Sequence, residues 1–142
     1  MSTVDTADRT TSTTVDPSGV NRTTTTTFSP DDQPLTTVAS DGTGATNITA
    51  LMYDPLGRVT SRSFSDAAGH QSKVSWTLDK RGLPTSMTDA DNNATAYSYD
   101  EAGQLAVTTA PAVNVETGGG SLVLAHPVMM TGYDALARRD PV

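Results

Sequence analysis

Short segments of alternating apolar and polar residues run along much of this chain. Val74 and Trp76 alternate with polar neighbours, and Thr95, Tyr97 and Tyr99 alternate with small residues in the same way. Successive side chains of a β-strand point to opposite faces of a sheet, so this period of two predicts strands. We expect one face of the resulting sheet to be buried and the other to be solvated.

A recognisable turn signal separates these segments. Its clearest copy is the Asp-Pro-Leu-Gly segment 54–57, preceded by Tyr53 and followed by Arg58, Val59 and Thr60. Asp54 at the first position, Pro at the second and Gly57 at the fourth are typical of a type I β-turn. The stretch therefore predicts a strand, a turn and a second strand.

The turn signal recurs at intervals of 10 to 13 residues, which makes the chain a repeat array. The copies begin at Asp16, Ser29, Asp41, Asp54, Asp66, Asp79, Asp89 and Asp100, and the later glycines that close them include Gly69, Gly82 and Gly103. Such spacing leaves eight or nine residues for most strands, which is too few for a crossover helix. The predicted fold is all-β, an antiparallel β-meander.

The regular spacing of the turns ends after Val107, because the next candidate turn begins only at Asp134. The gap contains three consecutive glycines, 118–120, and then the most apolar stretch of the chain. We interpret it as an inserted hairpin with the glycines at its tip and a return strand from Leu122 to Met130. Pro127 is expected to lie at an edge or bulge of that strand.

These features suggest three segments. Residues 1–13 contain few apolar side chains and are predicted to be disordered, residues 14–110 to form the repeat sheet, and residues 111–142 to form the hairpin and the start of a further, truncated repeat. Because the last turn has no strand after it, we interpret the chain as a fragment of a longer protein.

The amino-acid composition restricts the kinds of molecule that this chain is expected to bind. Only 35% of the residues are hydrophobic and 5% are aromatic, so the core is expected to be thin. The net charge of −7 argues against a nucleic-acid partner or an anionic membrane surface, and no apolar run is long enough for membrane insertion. There is no cysteine and no secretory signal at the N-terminus.

Taken two turns at a time, the unit of about 25 residues resembles the YD repeat of the rearrangement hotspot (Rhs) proteins. The Tyr-Asp pair occurs at Tyr53-Asp54, Tyr99-Asp100 and Tyr133-Asp134, and the Gly-Arg-Val-Thr sequence that follows it is complete at 57–60. The resemblance extends over about four to five repeats, from residue 14 to residue 142.

The resemblance implies that the meander is a curved sheet and part of a larger β-shell. In toxin-complex relatives such a shell encloses a C-terminal toxin or effector, and in teneurin-type relatives it serves adhesion. Expected partners are therefore the remaining repeats of the same shell, other copies of this chain through edge-strand pairing, and a toxin domain. The implied location is secreted or at the cell surface.

Candidate chemistry is sparse. His70 and His126 are 56 positions apart, which is far from the ligand spacing of a zinc site. Asp89-x-Asp91-x-Asn93 begins like an EF-hand loop, but Ala94 replaces the required glycine, so a polar turn is the preferred interpretation. We expect no metal, no cofactor and no enzymatic activity.

Two functional hypotheses follow. The first is structural: a section of an Rhs-type shell that encapsulates or presents an effector. The alternative is an adhesion module that binds carbohydrate or a cell-surface partner through an aromatic platform of Trp76, Tyr97 and Tyr99. These three residues are more simply explained as buried anchors of the sheet. An isolated sheet of this kind is expected to be marginally stable and prone to associate.

Overall fold

The computed structural model describes residues 1–133, and these contain strands and turns but no helix. The strands are β1 (Ser2–Val4), β2 (Thr10–Val15), β3 (Arg22–Phe28), β4 (Pro34–Ser40), β5 (Thr46–Tyr53), β6 (Val59–Asp66), β7 (Gln71–Leu78), β8 (Pro84–Thr88), β9 (Ala94–Tyr99), β10 (Leu105–Thr109), β11 (Val113–Thr117), β12 (Ser121–Ala125) and β13 (Val128–Met130).

Eleven strands follow one another in a single sheet, in the order β1 to β10 and then β13. β11 and β12 form a separate two-stranded sheet. The predicted all-β antiparallel meander is therefore confirmed. By contacts between Cα atoms the chain divides into two units, Met1–Val74 and Ser75–Val142.

In the first unit, the register of the strands aligns residues from five strands in one row. Thr25 lies opposite Ser12 and Val38, Val38 lies opposite Ile48, and Ile48 lies opposite Ser65. Residues directly opposite each other share a face, so this row combines hydroxyl and aliphatic side chains.

In the second unit, two rows of larger side chains share a face. Trp76 lies opposite Met87, which lies opposite Thr95. Two residues further along β9, Tyr97 lies opposite Thr108 of β10. Aromatic and sulfur-containing side chains therefore lie together on this face.

Residues 1–13, where the sequence indicates disorder, contain β1 and most of β2. The N-terminal ammonium group of Met1 donates to the Thr14 carbonyl oxygen at 2.8 Å, and the Thr14 amide donates to the Met1 carbonyl oxygen at 2.7 Å. The Thr3 and Thr11 hydroxyl oxygens are 3.3 Å apart. Backbone pairing and hydroxyl contacts, which an apolar pattern does not reveal, account for the difference.

The expected buried face is not found. Among the described residues no hydrophobic side chain is buried, and Ser61, 6% exposed, is the one buried polar residue. Within each unit, the described strands contact their neighbours in the sheet, and none of them packs as a second layer. A face without a covering layer stays accessible to water, which explains the lack of a core.

The inserted hairpin is present, but its return strand is shorter than the sequence indicates. β12 ends at Ala125, and β13 pairs with β10 of the main sheet. Pro127 lies in the break between them, where its missing N–H interrupts no ladder. The glycine tip is confirmed, because Gly119 and Gly120 have positive φ angles of 129° and 83°.

Candidate functional site

Most side-chain hydrogen bonds of the turns follow one pattern, and the turn at Asp54 illustrates it. The Gly57 amide donates to the Asp54 carbonyl oxygen and the Asp54 amide to the Arg58 carbonyl oxygen, both at 2.9 Å. The Asp54 Oδ1 atom accepts hydrogen bonds from the amides of Leu56 and Arg58, also at 2.9 Å. The carboxylate thereby fixes the turn from within.

The fourth residue adopts a left-handed backbone in most of these turns, although Gly19 in the turn at Asp16 does not. Gly57, Gly69 and Gly103 have φ angles of 79°, 87° and 82°. Asp32 and Asn92 occupy the same position with φ of 63° in the turns that lack the glycine. Glycine has no Cβ to clash in this region, and Asn and Asp tolerate it better than other residues. The weaker turn copies at Ser29 and Asp89 are therefore real turns.

The second carboxylate oxygen binds the side chain of the fifth residue. Asp54 Oδ2 lies 2.7 Å from Nε of Arg58, and Asp66 Oδ2 lies 2.7 Å from Nδ1 of His70. Asp79 departs from the plan, since its Oδ2 accepts from Nε of the third residue at 3.0 Å. Each of these carboxylates is thus bound by a side chain of its own turn.

Hydrogen bonds lower the pKa of several turn aspartates below the usual 3.8. For Asp54 the backbone amide of Arg58 has the largest effect, and for Asp66 the side chain of His70. Burial raises the pKa of Asp79, but hydrogen bonds from its turn outweigh that effect. The pKa is also lowered in Asp5, Asp41 and Asp89. At neutral pH these groups are charged acceptors.

The tyrosines of the Tyr-Asp pairs connect one turn to a neighbouring strand. The Tyr53 hydroxyl donates to the Pro34 carbonyl oxygen at 2.8 Å, and the Tyr99 hydroxyl to that of Pro84 at 2.9 Å. The Tyr133 hydroxyl donates to the carbonyl oxygen of Leu105 at 3.1 Å. Each acceptor is the first residue of its strand. Tyr53 and Tyr99 therefore each join the turn that follows them to the previous turn at the same end of the sheet.

Long polar side chains make further links between turns. Arg9 Nη1 donates to the Ser29 carbonyl oxygen at 3.0 Å, and Gln33 Nε2 donates to the Gly57 carbonyl oxygen at 3.1 Å. Sequence reasoning missed both. It also missed the turn at Asp5, although that residue lies 11 positions before Asp16, which is within the range of the repeat spacing.

The structure does not bring the candidate metal-ligating residues together. His70 binds Asp66, and Nδ1 of His126 lies 3.1 Å from the Ala110 carbonyl oxygen. Asp89 accepts the amide of Asn93 at 2.8 Å, as the other turn aspartates do. In residues 1–133 no group of three or more His, Cys, Asp or Glu side chains is placed to hold a metal ion. The predicted repeat residue Asp134 lies outside the described residues.

The three residues of the aromatic platform share one face. Trp76 and Tyr97 lie on β7 and β9, with β8 between them, and Tyr99 follows Tyr97 on the same side. All three are partly exposed. They are therefore neither the fully buried anchors that the simpler explanation requires nor an entirely free surface.

These observations define an all-β repeat protein whose turns are fixed by aspartate and linked by tyrosine. The family model for the RHS Repeat matches residues 53–93 and 79–112. Residues 53–112 of this chain therefore consist of RHS repeats, as their turn sequence indicates.

Solved structures show the same fold at low sequence identity. The crystal structure of TcdB2-TccC3-Cdc42 matches with a TM-score of 0.56 and 16% identity over 96% of this chain. The Photorhabdus luminescens Tc holotoxin pore, with a mutation in TccC3, matches with a TM-score of 0.50 and 19% identity over 83% of it. The chain spans only 9% and 6% of those proteins.

No curated protein sequence matches this chain. In the described residues there is no helix with the length and apolar character needed to cross a membrane. RHS repeats have a structural role in the fold, and the matched residues of this chain include the turns at Asp54, Asp66, Asp79, Asp89 and Asp100.

Proposed function

We propose that this chain is a section of a larger RHS-type β-shell that encapsulates or presents a toxin or effector. The observation that carries the proposal is a long sheet with well-fixed turns and no buried hydrophobic side chain in the described residues. A sheet of this kind gains stability by continuing into further strands and by facing enclosed protein. Its task is mechanical, and we assign it no catalytic step.

The comparisons support this proposal through the fold. The similar structures belong to assemblies named for TcdB2, TccC3 and a Tc holotoxin pore, so RHS-type sheets occur in toxin complexes. Further repeats of the same shell are the first partners that we propose for this chain, joined through β1 and β13. These are the terminal strands of the described sheet, and each has one pairing partner there. Export to the cell exterior belongs to the same proposal.

Limited proteolysis of the complete protein encoded by the reading frame that contains this sequence tests encapsulation. The expected result is a C-terminal segment that resists protease until the shell is opened with denaturant. The same segment expressed alone serves as the control and should be digested quickly. If the segment in the full frame is cut as fast as the free one, or if the frame carries no other RHS repeats, encapsulation is excluded.

A second candidate function is carbohydrate binding at Trp76, Tyr97 and Tyr99. It is favoured by the shared face and partial exposure of the three rings, because sugars stack on accessible aromatic faces. A glycan array should then lose signal with Trp76→Ala and Tyr99→Ala but keep it with Tyr99→Phe, which retains the ring. Binding that persists in both alanine variants would eliminate this function.

A further inference from the structure

The turn between β4 and β5 contains the one place in the sequence where glycine directly follows an aspartate or an asparagine. The pair is Asp41-Gly42, whereas proline follows Asp54 and alanine follows Asp66 in the corresponding turns. An aspartyl carboxyl group reacts most readily with the amide nitrogen of the next residue when that residue is glycine, because no Cβ hinders the approach. This turn therefore carries the pair of residues most prone to internal cyclisation.

The turn at Asp41 is also less firmly closed than its counterparts. In the turns at Asp54 and Asp66, the amide of the fourth residue donates to the carbonyl oxygen of the first, at 2.9 Å and 3.1 Å. Within residues 1–133 no such bond runs from the Gly44 amide to the Asp41 carbonyl oxygen. The Asp41 amide donates to the Ala45 carbonyl oxygen at 3.3 Å, against 2.9 Å for the equivalent bond of Asp54. Fewer backbone bonds resist rearrangement here.

The amide nitrogen of Gly42 is available for reaction. At the equivalent position of the Asp66 turn, the Ala67 amide donates to the Thr46 carbonyl oxygen at 3.1 Å. The hydrogen bonds of the described residues include none from the Gly42 amide, and Gly42 is exposed. Glycine is also required there, because φ is 72° and a Cβ atom would lie 3.1 Å from the Val20 carbonyl oxygen. The fold therefore retains the reactive pair.

We propose that Asp41 is a site of spontaneous covalent modification, at which aspartate isomerises to isoaspartate. The Gly42 nitrogen attacks Cγ of Asp41, a C–N bond forms, and the carboxyl hydroxyl leaves with the amide proton as water. Water then adds to the main-chain carbonyl carbon of the resulting succinimide and breaks the bond from that carbon to the Gly42 nitrogen. The water lost in the first step is regained in the second, and neither step is a redox reaction. The main chain then runs through Cβ and Cγ and is one atom longer.

Thr43 opposes this reaction. Its amide and its hydroxyl donate to Oδ1 of Asp41 at 3.0 Å and 2.7 Å. These bonds lower the pKa of Asp41, and the hydroxyl has the largest effect. An ionised carboxylate is a poor electrophile, because its oxygen cannot leave as water. Thr43 therefore slows the cyclisation, and the reaction is expected to be faster at mildly acidic than at neutral pH.

The product is expected to disturb the strands that the turn connects. Ser40 and Thr46 flank the turn and lie opposite each other in β4 and β5. The turn determines the register of such a pair, and the extra main-chain atom changes its length. Thr43 also loses the acceptor that it has in Oδ1 of Asp41. Isomerised chains should therefore be cut faster by protease between residues 40 and 46.

Peptide mapping of the aged full-length chain tests the site. The chain is incubated at neutral pH for several weeks, and mass spectrometry with electron-transfer fragmentation then distinguishes isoaspartate from aspartate. Isoaspartate should accumulate at Asp41, while Asp54 and Asp66 in the same sample stay unmodified. A chain without isoaspartate at Asp41, or with equal amounts at all three positions, would overturn the proposal.

A matched variant separates the sequence from the geometry of the turn. Ala67→Gly creates the same pair in the Asp66 turn, which has its internal hydrogen bond. In the folded chain this pair should isomerise more slowly than Asp41, whereas in concentrated urea the two should react equally. Equal rates in the folded chain would show that the looser turn contributes nothing.

Two substitutions of Thr43 test its protective role. Thr43→Val removes the hydroxyl and should accelerate the isomerisation about two- to five-fold, the factor expected for one exposed hydrogen bond. Thr43→Ser retains a hydroxyl and should keep the wild-type rate. If Thr43→Val reacts no faster than Thr43→Ser, Thr43 does not protect Asp41.

Discussion

Replacing the glycine at the fourth position of a turn by alanine separates two contributions to stability. One is the ease with which glycine adopts a left-handed backbone, and the other is the hydrogen bond from Gln33 that joins two turns. Gly57 and Gly69 both have left-handed φ angles, 79° and 87°. A Cβ atom at Gly69 would meet nothing within 4 Å, whereas one at Gly57 would lie 2.7 Å from Nε2 of Gln33. Both variants therefore force an alanine into a left-handed backbone conformation that favours glycine. Only Gly57→Ala also displaces the Gln33 amide from the carbonyl oxygen of residue 57.

The expected costs differ accordingly. A non-glycine residue in the left-handed region costs about 1–2 kcal/mol, which is the whole effect expected for Gly69→Ala. Gly57→Ala adds the loss of one exposed hydrogen bond, about 0.5–1 kcal/mol. Urea unfolding followed by far-UV circular dichroism measures both values. With a denaturant slope of roughly 1–3 kcal/mol per molar, the additional loss in Gly57→Ala lowers the unfolding midpoint by a further 0.2–1 M or so.

A double-mutant cycle with Gln33→Ala supplies the control. Gln33→Ala should destabilise the wild-type chain but have little effect when Gly57 is already alanine, because the link is then broken. Gly57→Asn should cost less than Gly57→Ala, since Asn92 holds the same turn position with φ of 63°. Equal costs for Gly57→Ala and Gly69→Ala, together with additive behaviour in the cycle, would refute the proposed link.

Three further outcomes are expected. Tyr53→Phe removes the hydrogen bond to the Pro34 carbonyl oxygen and should cost about 0.5 kcal/mol in urea unfolding, whereas Tyr97→Phe, whose hydroxyl makes no described hydrogen bond, should cost less. The turn aspartates have pKa values lowered from 3.8, so their stabilising effect is complete above about pH 5. A pH series should show the urea midpoint falling below about pH 4, and a flat profile to pH 2 would contradict it. Asp54→Ala should lower the midpoint more than Asp54→Asn, which keeps an oxygen that can accept from the Leu56 amide; the reverse order would contradict the turn geometry.

The fold could be predicted from the sequence because the turns carry the information. The residues at the first and fourth turn positions are selected by side-chain hydrogen bonding and by positive φ, both of which act within five residues. Asp54 and Gly57 are the clearest case, and their geometry agrees with the prediction. Local signals of this kind need no knowledge of the tertiary structure.

The contacts that join one turn to another could not be predicted in the same way. Tyr53 reaches Pro34 across 19 residues, and Gln33 reaches Gly57 across 24. Such pairs depend on strand register, which a turn signal does not determine. Tyr99 was expected to anchor the sheet by burial, and in the described structure its hydroxyl donates a hydrogen bond to the Pro84 carbonyl oxygen. Burial itself was overestimated, since period-two alternation implies a covered face that the described strands lack.

The most direct test of the central proposal is a cryo-electron microscopy structure of the complete protein encoded by the reading frame that contains this sequence. Our account predicts that β1 and β13 each pair with a strand of a flanking repeat, so that residues 1–133 form an uninterrupted part of a closed β-shell. A structure in which these strands stay at open edges, with no enclosing wall formed by the repeats, would contradict the proposed function.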